Sequence, residues 1–272
     1  MPIPLSALIL LDPIDDYKIH FGNWNQHERP LDVFARSRQE WQGWNEYRAP
    51  GSKNDFNKRF IFSLIQYYPR PERWLFGGIF EVLARPADSN YKLQLSSQGE
   101  NFIGRLLVGH PGPRVQGRSF KPETYFHELT VAQILEEPYL GAEFPGFEAI
   151  CHDFAQLESI VSQSKPDWKA SLEAIKGVYV ITDKSNGKKY IGSAYGAGGV
   201  WHRLSCYIGT GHGWNDELTK LIKSGGIEYA RQNFQFALIE HRSATTDDDL
   251  IIQREQHWKN VLKTREFGYN RN

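Results

Sequence analysis

The chain has 272 residues, and its 32 Lys and Arg are balanced by 32 Asp and Glu for a formal net charge of zero. That balance excludes a strongly basic, tail-driven nucleic-acid binder and an acidic, solvating disordered chain. With 40% hydrophobic and 14% aromatic residues it can bury a core, and its length suits one large domain or two ordinary ones.

The apolar run at residues 5–11 is too short to span a membrane, and no Lys or Arg precedes it as in a signal peptide. Two cysteines, Cys151 and Cys206, are too few for a disulfide scaffold or a Cys-rich zinc site. A reducing, cytoplasmic setting without membrane contact is therefore expected. Residues 30–47 carry Leu31, Phe34, Trp41 and Trp44 in an irregular helical pattern. Short β-branched and aromatic runs at 59–68, 74–84, 91–95 and 102–108 are separated by Gly, Pro and Asn, which predicts an antiparallel sheet or a small barrel. Gly77 and Gly78, inside the second run, fit a bulge or a close backbone approach.

Turn formers crowd residues 136–146 and 162–167 around a helical stretch at about 153–161, and the domain boundary is expected near 165. This reading gives a β-rich N-terminal domain, 1–165, and a second domain, 166–272. Asp167 is a candidate cap for a short helix over 168–175. Strands at 177–182 and 189–193 are joined by a turn containing Asn186-Gly187, a strong hairpin signal. Helices at 200–208 and 215–224, a strand at 234–240 and a helix at 247–262 complete the order β-β-α-α-β-α. The fold class is α+β, with helices packed on a small sheet.

The hairpin sets Gly177-Val178-Tyr179 beside Tyr190-Ile191-Gly192, so the two phenols can converge. Arg203 follows on the next helix, Glu255 lies on the long last helix, and Gly268-Tyr269-Asn270 closes the chain. In this order and context the residues resemble a GIY-YIG nuclease domain over about residues 175–272. Taken singly, each has a plainer reading as a sheet-packing tyrosine or a solvated helix residue. The resemblance implies a metal-dependent DNA endonuclease that hydrolyses phosphodiester bonds, with Glu255 as the single metal-binding carboxylate for Mg²⁺ or Mn²⁺. It implies Arg203 as a fork for nonbridging oxygens, Tyr179 as the first choice of general base, and Tyr190 in support. Asn270 is implied to orient the site or to touch the phosphate. Tyr207 stands where the homing and restriction branches usually carry histidine, and is closer to the excision-repair branch. Lys188, Lys189 and His202 are candidate contacts to the DNA backbone. Asp247, Asp248 and Asp249 read as a helix start rather than a metal site, and His212 as part of a glycine-flanked turn.

Target choice falls to the first domain in this reading. Residues 101–122 hold Arg105, Arg114, Arg118 and Lys121 with no acidic residue, which suits phosphate contacts. Trp24, Trp41, Trp44 and Trp74 are candidates for stacking on a base. The layout loosely resembles PUA-like barrels that read modified bases, and so suggests restriction or defence directed at modified DNA. Structure-specific repair cleavage and an inactive nucleic-acid-binding protein are the alternatives, and a homodimer would cut both strands. Split at 165, the first part carries 17 Lys and Arg against 20 Asp and Glu, and the second 15 against 12. Neither is basic enough for strong nonspecific affinity, so DNA contact must come from local clusters.

Overall fold

A computed structural model describes residues 2–48, 55–113 and 117–271. They form two compact units, Met1–Tyr139 and Leu140–Asn272.

The first unit runs β1 (Ile3–Pro4), β2 (Tyr17–Gly22), α1 (Pro30–Arg36), α2 (Arg38–Glu46), β3 (Phe60–Gln66), β4 (Arg73–Ala84), β5 (Lys92–Leu95), β6 (Leu106–Gly109), α3 (Pro122–Tyr125) and β7 (Thr130–Ile134). Its seven-stranded sheet has the order β1-β7-β6-β4-β3-β2, with β5 also paired to β4. The expected barrel does not form: the sheet is open, and its outer strands β1 and β2 lie at opposite ends of this order. Instead β2 and β3 pair in parallel. A parallel pair needs a crossover connection, and α1 and α2 lie within it. Those helices explain the irregular pattern at 30–47, because the chain breaks at Ser37, whose side chain accepts from Glu40 N to cap α2. β3 is buried on both faces. Phe62 and Leu64 enter one core, while Ile61 and Ile65 enter another with Leu31, Phe34 and Trp41.

The expected bulge is present, with Ser63 opposite Gly78 and Leu64 opposite Phe76, so Gly77 is the extra residue. A Cβ on Gly77 would come within 2.8 Å of the Trp41 ring, whose Nε1 donates to Gly77 O at 2.9 Å. Trp41 and Trp74 are thus core residues rather than stacking platforms, and Trp44 is half-buried. Of the four, Trp24 is the one well exposed, at 62%.

Behind the sheet, His20 donates from Nδ1 to Asn45 Oδ1 at 2.7 Å, and Ser63 Oγ donates to the same oxygen at 2.6 Å. Burial, reinforced by the nearby Arg118 charge and only partly opposed by Asn45, pushes the His20 imidazole down from 6.5 to about 3. The unfolded chain therefore binds a proton between these values that the folded chain refuses, so stability falls as pH drops below 6.5. From pH 7 to pH 5 this residue alone should remove about 2 kcal/mol. Urea unfolding of the first unit at the two pH values measures it, and His20→Gln should flatten that slope.

The second unit contains β8 (Cys151–Asp153), α4 (Phe154–Ser162), α5 (Pro166–Glu173), β9 (Ile175–Asp183), β10 (Lys189–Ala194), α6 (Gly199–Thr210), α7 (Asp216–Asn233), β11 (Phe234–Ser243), α8 (Asp248–Val261) and α9 (Thr264–Phe267). Its antiparallel sheet has the order β10-β9-β11-β8. The boundary lies at 139/140, not at 165. β8 pairs with β11, and Phe154, Leu157 and Ile160 of α4 share a core with Tyr179, Ile181 and Phe236. The turn formers at 162–167 only separate α4 from α5, which starts with Pro166 in its first turn. The sheet is covered on both faces, since Val178, Val180 and Ile191 pack with Ile251 of α8 on the other side. Among the described residues, no helix is long and apolar enough to cross a membrane.

Candidate active site

The glycines of the two strand triplets are set by close packing. Gly192 lies opposite Tyr179 across the β9–β10 pair, and a Cβ there would sit 2.4 Å from Tyr179 Oη. Only glycine lets the phenol cross the strand. At Gly177, a Cβ would meet Glu240 O at 2.5 Å, beside the register shift between Leu238 and Glu240 on β11. The chain end repeats the device: a Cβ on Gly268 would fall 2.3 Å from Lys189 O. Tyr269 N then donates to Lys189 O at 2.9 Å. Asn270 Oδ1 accepts from Ile191 N at 2.9 Å, and its Nδ2 donates to Ile191 O at 2.8 Å. Asn270 is fully buried and spends its amide on β10, so it orients the Tyr190 strand and does not meet a phosphate.

Below this edge, Asp183 ends β9 and gathers Ser185, Asn186, Tyr229 and Tyr269. Burial works to raise its pKa, but the hydrogen bonds from Ser185, Tyr269 and Tyr229 outweigh it and hold the carboxyl below its ordinary value. This anchor of the hairpin was not singled out from sequence, where an Asp before Asn-Gly reads only as a turn residue.

α6 brings Arg203 and Tyr207 onto one face, with the guanidinium 4.9 Å from the Tyr207 ring centroid. Arg203 Nε donates to Tyr179 Oη at 2.9 Å and Nη2 to Tyr207 Oη at 3.3 Å, while Tyr179 donates to Tyr207 at 3.2 Å. Tyr179 and Tyr207 are 0% and 2% exposed. Burial and then Tyr190 raise Tyr179 well above 10 against Arg203 and the hydrogen bond to Tyr207, and burial, Tyr179 and Tyr190 raise Tyr207 against Arg203. The phenol of Tyr179, the expected general base, is enclosed, and burial works against its deprotonation. Tyr190 is half-buried and lines an open cleft.

That cleft, of about 350 Å³, is lined by Tyr190, Ser193, Tyr195, His202, Arg203 and Glu255 together with small residues of 194–199. It wraps the edge strand β10, taking Tyr190 and Arg203 from the α6 side and Glu255 from α8. Glu240 on β11 accepts from Arg254 and Trp258, both at 2.9 Å, which fixes the rotation of α8. Glu255 Oε2 accepts from the Ser193 hydroxyl, and Oε1 pairs with Lys259 Nζ at 2.6 Å. Ser193 and Lys259 escaped the sequence reading, although the i,i+4 spacing of Lys259 from Glu255 is legible. Among the described residues, no group of three or more His, Cys, Asp and Glu could hold a metal ion. One carboxylate at an open cleft fits a hard ion such as Mg²⁺ or Mn²⁺ that keeps most of its water, not a closed protein cage.

His202 is exposed on the cleft. Lys188 and Lys189 are not among the cleft's lining residues: Lys188 Nζ sits 5.8 Å from the Tyr269 ring centroid, and Lys189 Nζ donates to Gly187 O at 3.1 Å. In the first unit, Arg105 donates to Leu135 O at 2.9 Å. Arg118 donates to the carbonyls of Trp44, Asn45 and Tyr47, at the negative end of α2. Arg118 thus spends both Nη atoms on backbone, half-buried Arg105 has its Nε on a carbonyl, and Lys121 is exposed. Arg114 lies outside the described residues. Asp247 caps α8 through Asp249 N, and Asp248 pairs with Lys176 at 2.6 Å, so the three acids are a helix start. After α6 the turn carries His212, whose Nδ1 accepts from the N–H of Trp214 at 3.0 Å.

No protein-family model and no curated protein matches the chain. It is similar to two solved structures of the catalytic domain of the homing, or intron, endonuclease I-TevI. One, a point mutant, is 26% identical over 36% of this chain and 94% of that chain, with a TM-score of 0.29. The other is 28% identical over 35% and 96%, with a TM-score of 0.28.

Proposed function

We propose that the second unit is a metal-dependent DNA endonuclease. The observation that carries this reading is the convergence of Tyr190, Arg203 and Glu255 on one open cleft, backed by buried Tyr179 and Tyr207 that fix the guanidinium. Phosphodiester hydrolysis needs an oriented water, charge stabilisation on the phosphoryl oxygens and help for the departing oxyanion. Arg203 has Nε and Nη2 on the two phenols, which leaves Nη1 to a nonbridging oxygen. His202 and Tyr195 border the path of the strand on the same cleft. Tyr190, which lines the cleft, is the phenol that would orient the attacking water and take its proton, in preference to the enclosed Tyr179. Glu255 would hold the divalent ion, which supplies Lewis-acid stabilisation of the phosphoryl group.

The first unit, residues 1–139, chooses the target in this account, with Lys121 and Trp24 as exposed contacts. Restriction or defence is the preferred role, with modified DNA as one candidate target. Structure-specific repair is the second reading, favoured by Tyr207, which sits buried between Tyr179 and Arg203 where a histidine would offer proton transfer. Cleavage in Mg²⁺ of cytosine-modified and unmodified duplexes, set beside nicked and flapped ones, separates the two. Faster cutting of modified duplex is expected. Equal rates on modified and unmodified DNA would end the modification reading, and preference for flaps would install repair.

A further inference from the structure

We propose that Lys259 is a positioning residue that keeps the metal affinity of Glu255 low until a DNA phosphate enters the cleft. The inference rests on the reading of that cleft as a metal-dependent nuclease site. Lysine is almost never fully buried unless it is paired, yet the Lys259 side chain is 0% exposed while that of Glu255 is 14% exposed. Glu255 lines the cleft and Lys259 does not. The ammonium therefore lies on the protein side of the carboxylate, 2.6 Å from Oε1.

An ordinary i,i+4 pair on a helix surface adds little, because both ends are hydrated. This one is different in kind. Burying an ammonium is costly, and it persists only with good partners. The charge that would draw a divalent cation to Glu255 is here offset by a fixed positive charge in a poorly screened setting. The pairing leaves Oε2, held by the rotatable hydroxyl of Ser193, as the oxygen that faces an incoming ion. With the one carboxylate of the cleft neutralised, the missing negative charge has to come from phosphoryl oxygens. Ion and DNA then load together, which couples cleavage to capture of the substrate.

A purely structural ion pair makes another prediction: loss of Lys259 would change stability and leave metal affinity alone. The test is Mn²⁺ binding to the full chain without DNA, followed by electron paramagnetic resonance of the free ion. Lys259→Met should bind Mn²⁺ at least about tenfold more tightly than the wild type, while Lys259→Arg, which keeps the charge, should match the wild type. Should Lys259→Met not fold, Lys259→Gln carries the same comparison. Affinity equal to or weaker than the wild type in a folded, neutral Lys259 variant overturns the proposal. Glu255→Ala distinguishes the two levels of the account: wild-type Mn²⁺ affinity in that variant would remove the metal site itself. Loss of binding in Glu255→Ala with no tightening in Lys259→Met would remove only the role of Lys259.

Discussion

Glu255→Ala is expected to lower DNA cleavage by about three orders of magnitude, because the divalent ion's several kcal/mol of charge stabilisation are lost with its one carboxylate. The same substitution carries a folding cost that a surface carboxylate would not. It removes one partner from beside a fully buried ammonium, and breaking a buried pair costs up to about 3–5 kcal/mol. The two effects separate in the double variant Glu255→Ala/Lys259→Met. Removing the ammonium as well should restore part of the stability, as buried pairs replaced by apolar groups often do, while cleavage stays as low as in Glu255→Ala. Thermal unfolding and plasmid incision on the same four proteins form a double-mutant cycle. Cleavage near the wild-type rate in either Glu255→Ala protein would remove the metal-site assignment.

Gly192→Val is expected to damage the site without touching DNA. A Cβ at this position falls 2.4 Å from Tyr179 Oη and 2.6 Å from Cζ, so the ring must leave the strand. Overpacking of this kind costs about 1–3 kcal/mol. Displacing Tyr179 also strips Arg203 Nε of its partner and frees the guanidinium to swing. Misplacement of such a group by about 1 Å costs on the order of a hundredfold in rate. The expected outcome is a lowered Tm together with a roughly hundredfold loss of cleavage and little change in DNA retention on gels. A variant with wild-type rate would show that the buried phenol does not hold Arg203 in its working position.

The strands of the second unit were legible because Asn186-Gly187 marks a hairpin and the flanking residues alternate between two cores. Its start was not. The turn formers at 162–167 interrupt two helices of one unit, and β8 has only three residues, too few for a period-2 pattern. The barrel expectation failed because β2 and β3 pair in parallel through a helical crossover, and local strand signals carry no information about strand direction. In the site, the glycine and tyrosine triplets were visible as motifs, yet their physical reason, a phenol lying over Gly192, exists only across strands. Arg105 and Arg118 read in the linear chain as candidate phosphate contacts, because sequence does not show the carbonyls that Arg118 and the Nε of Arg105 meet. Ser193 and Lys259 look ordinary in the linear chain and gain meaning only where both close on Glu255.

Incision of supercoiled plasmid in Mg²⁺ by the wild type, Tyr190→Phe, Arg203→Ala and the double variant of these two tests the central claim most directly. If the two residues serve one cleft, each single variant loses cleavage while retaining DNA on gels, and the double variant is hardly worse than either, as for groups that act as a unit. Undiminished incision by Arg203→Ala or Tyr190→Phe would contradict a DNA-cleaving site at this cleft.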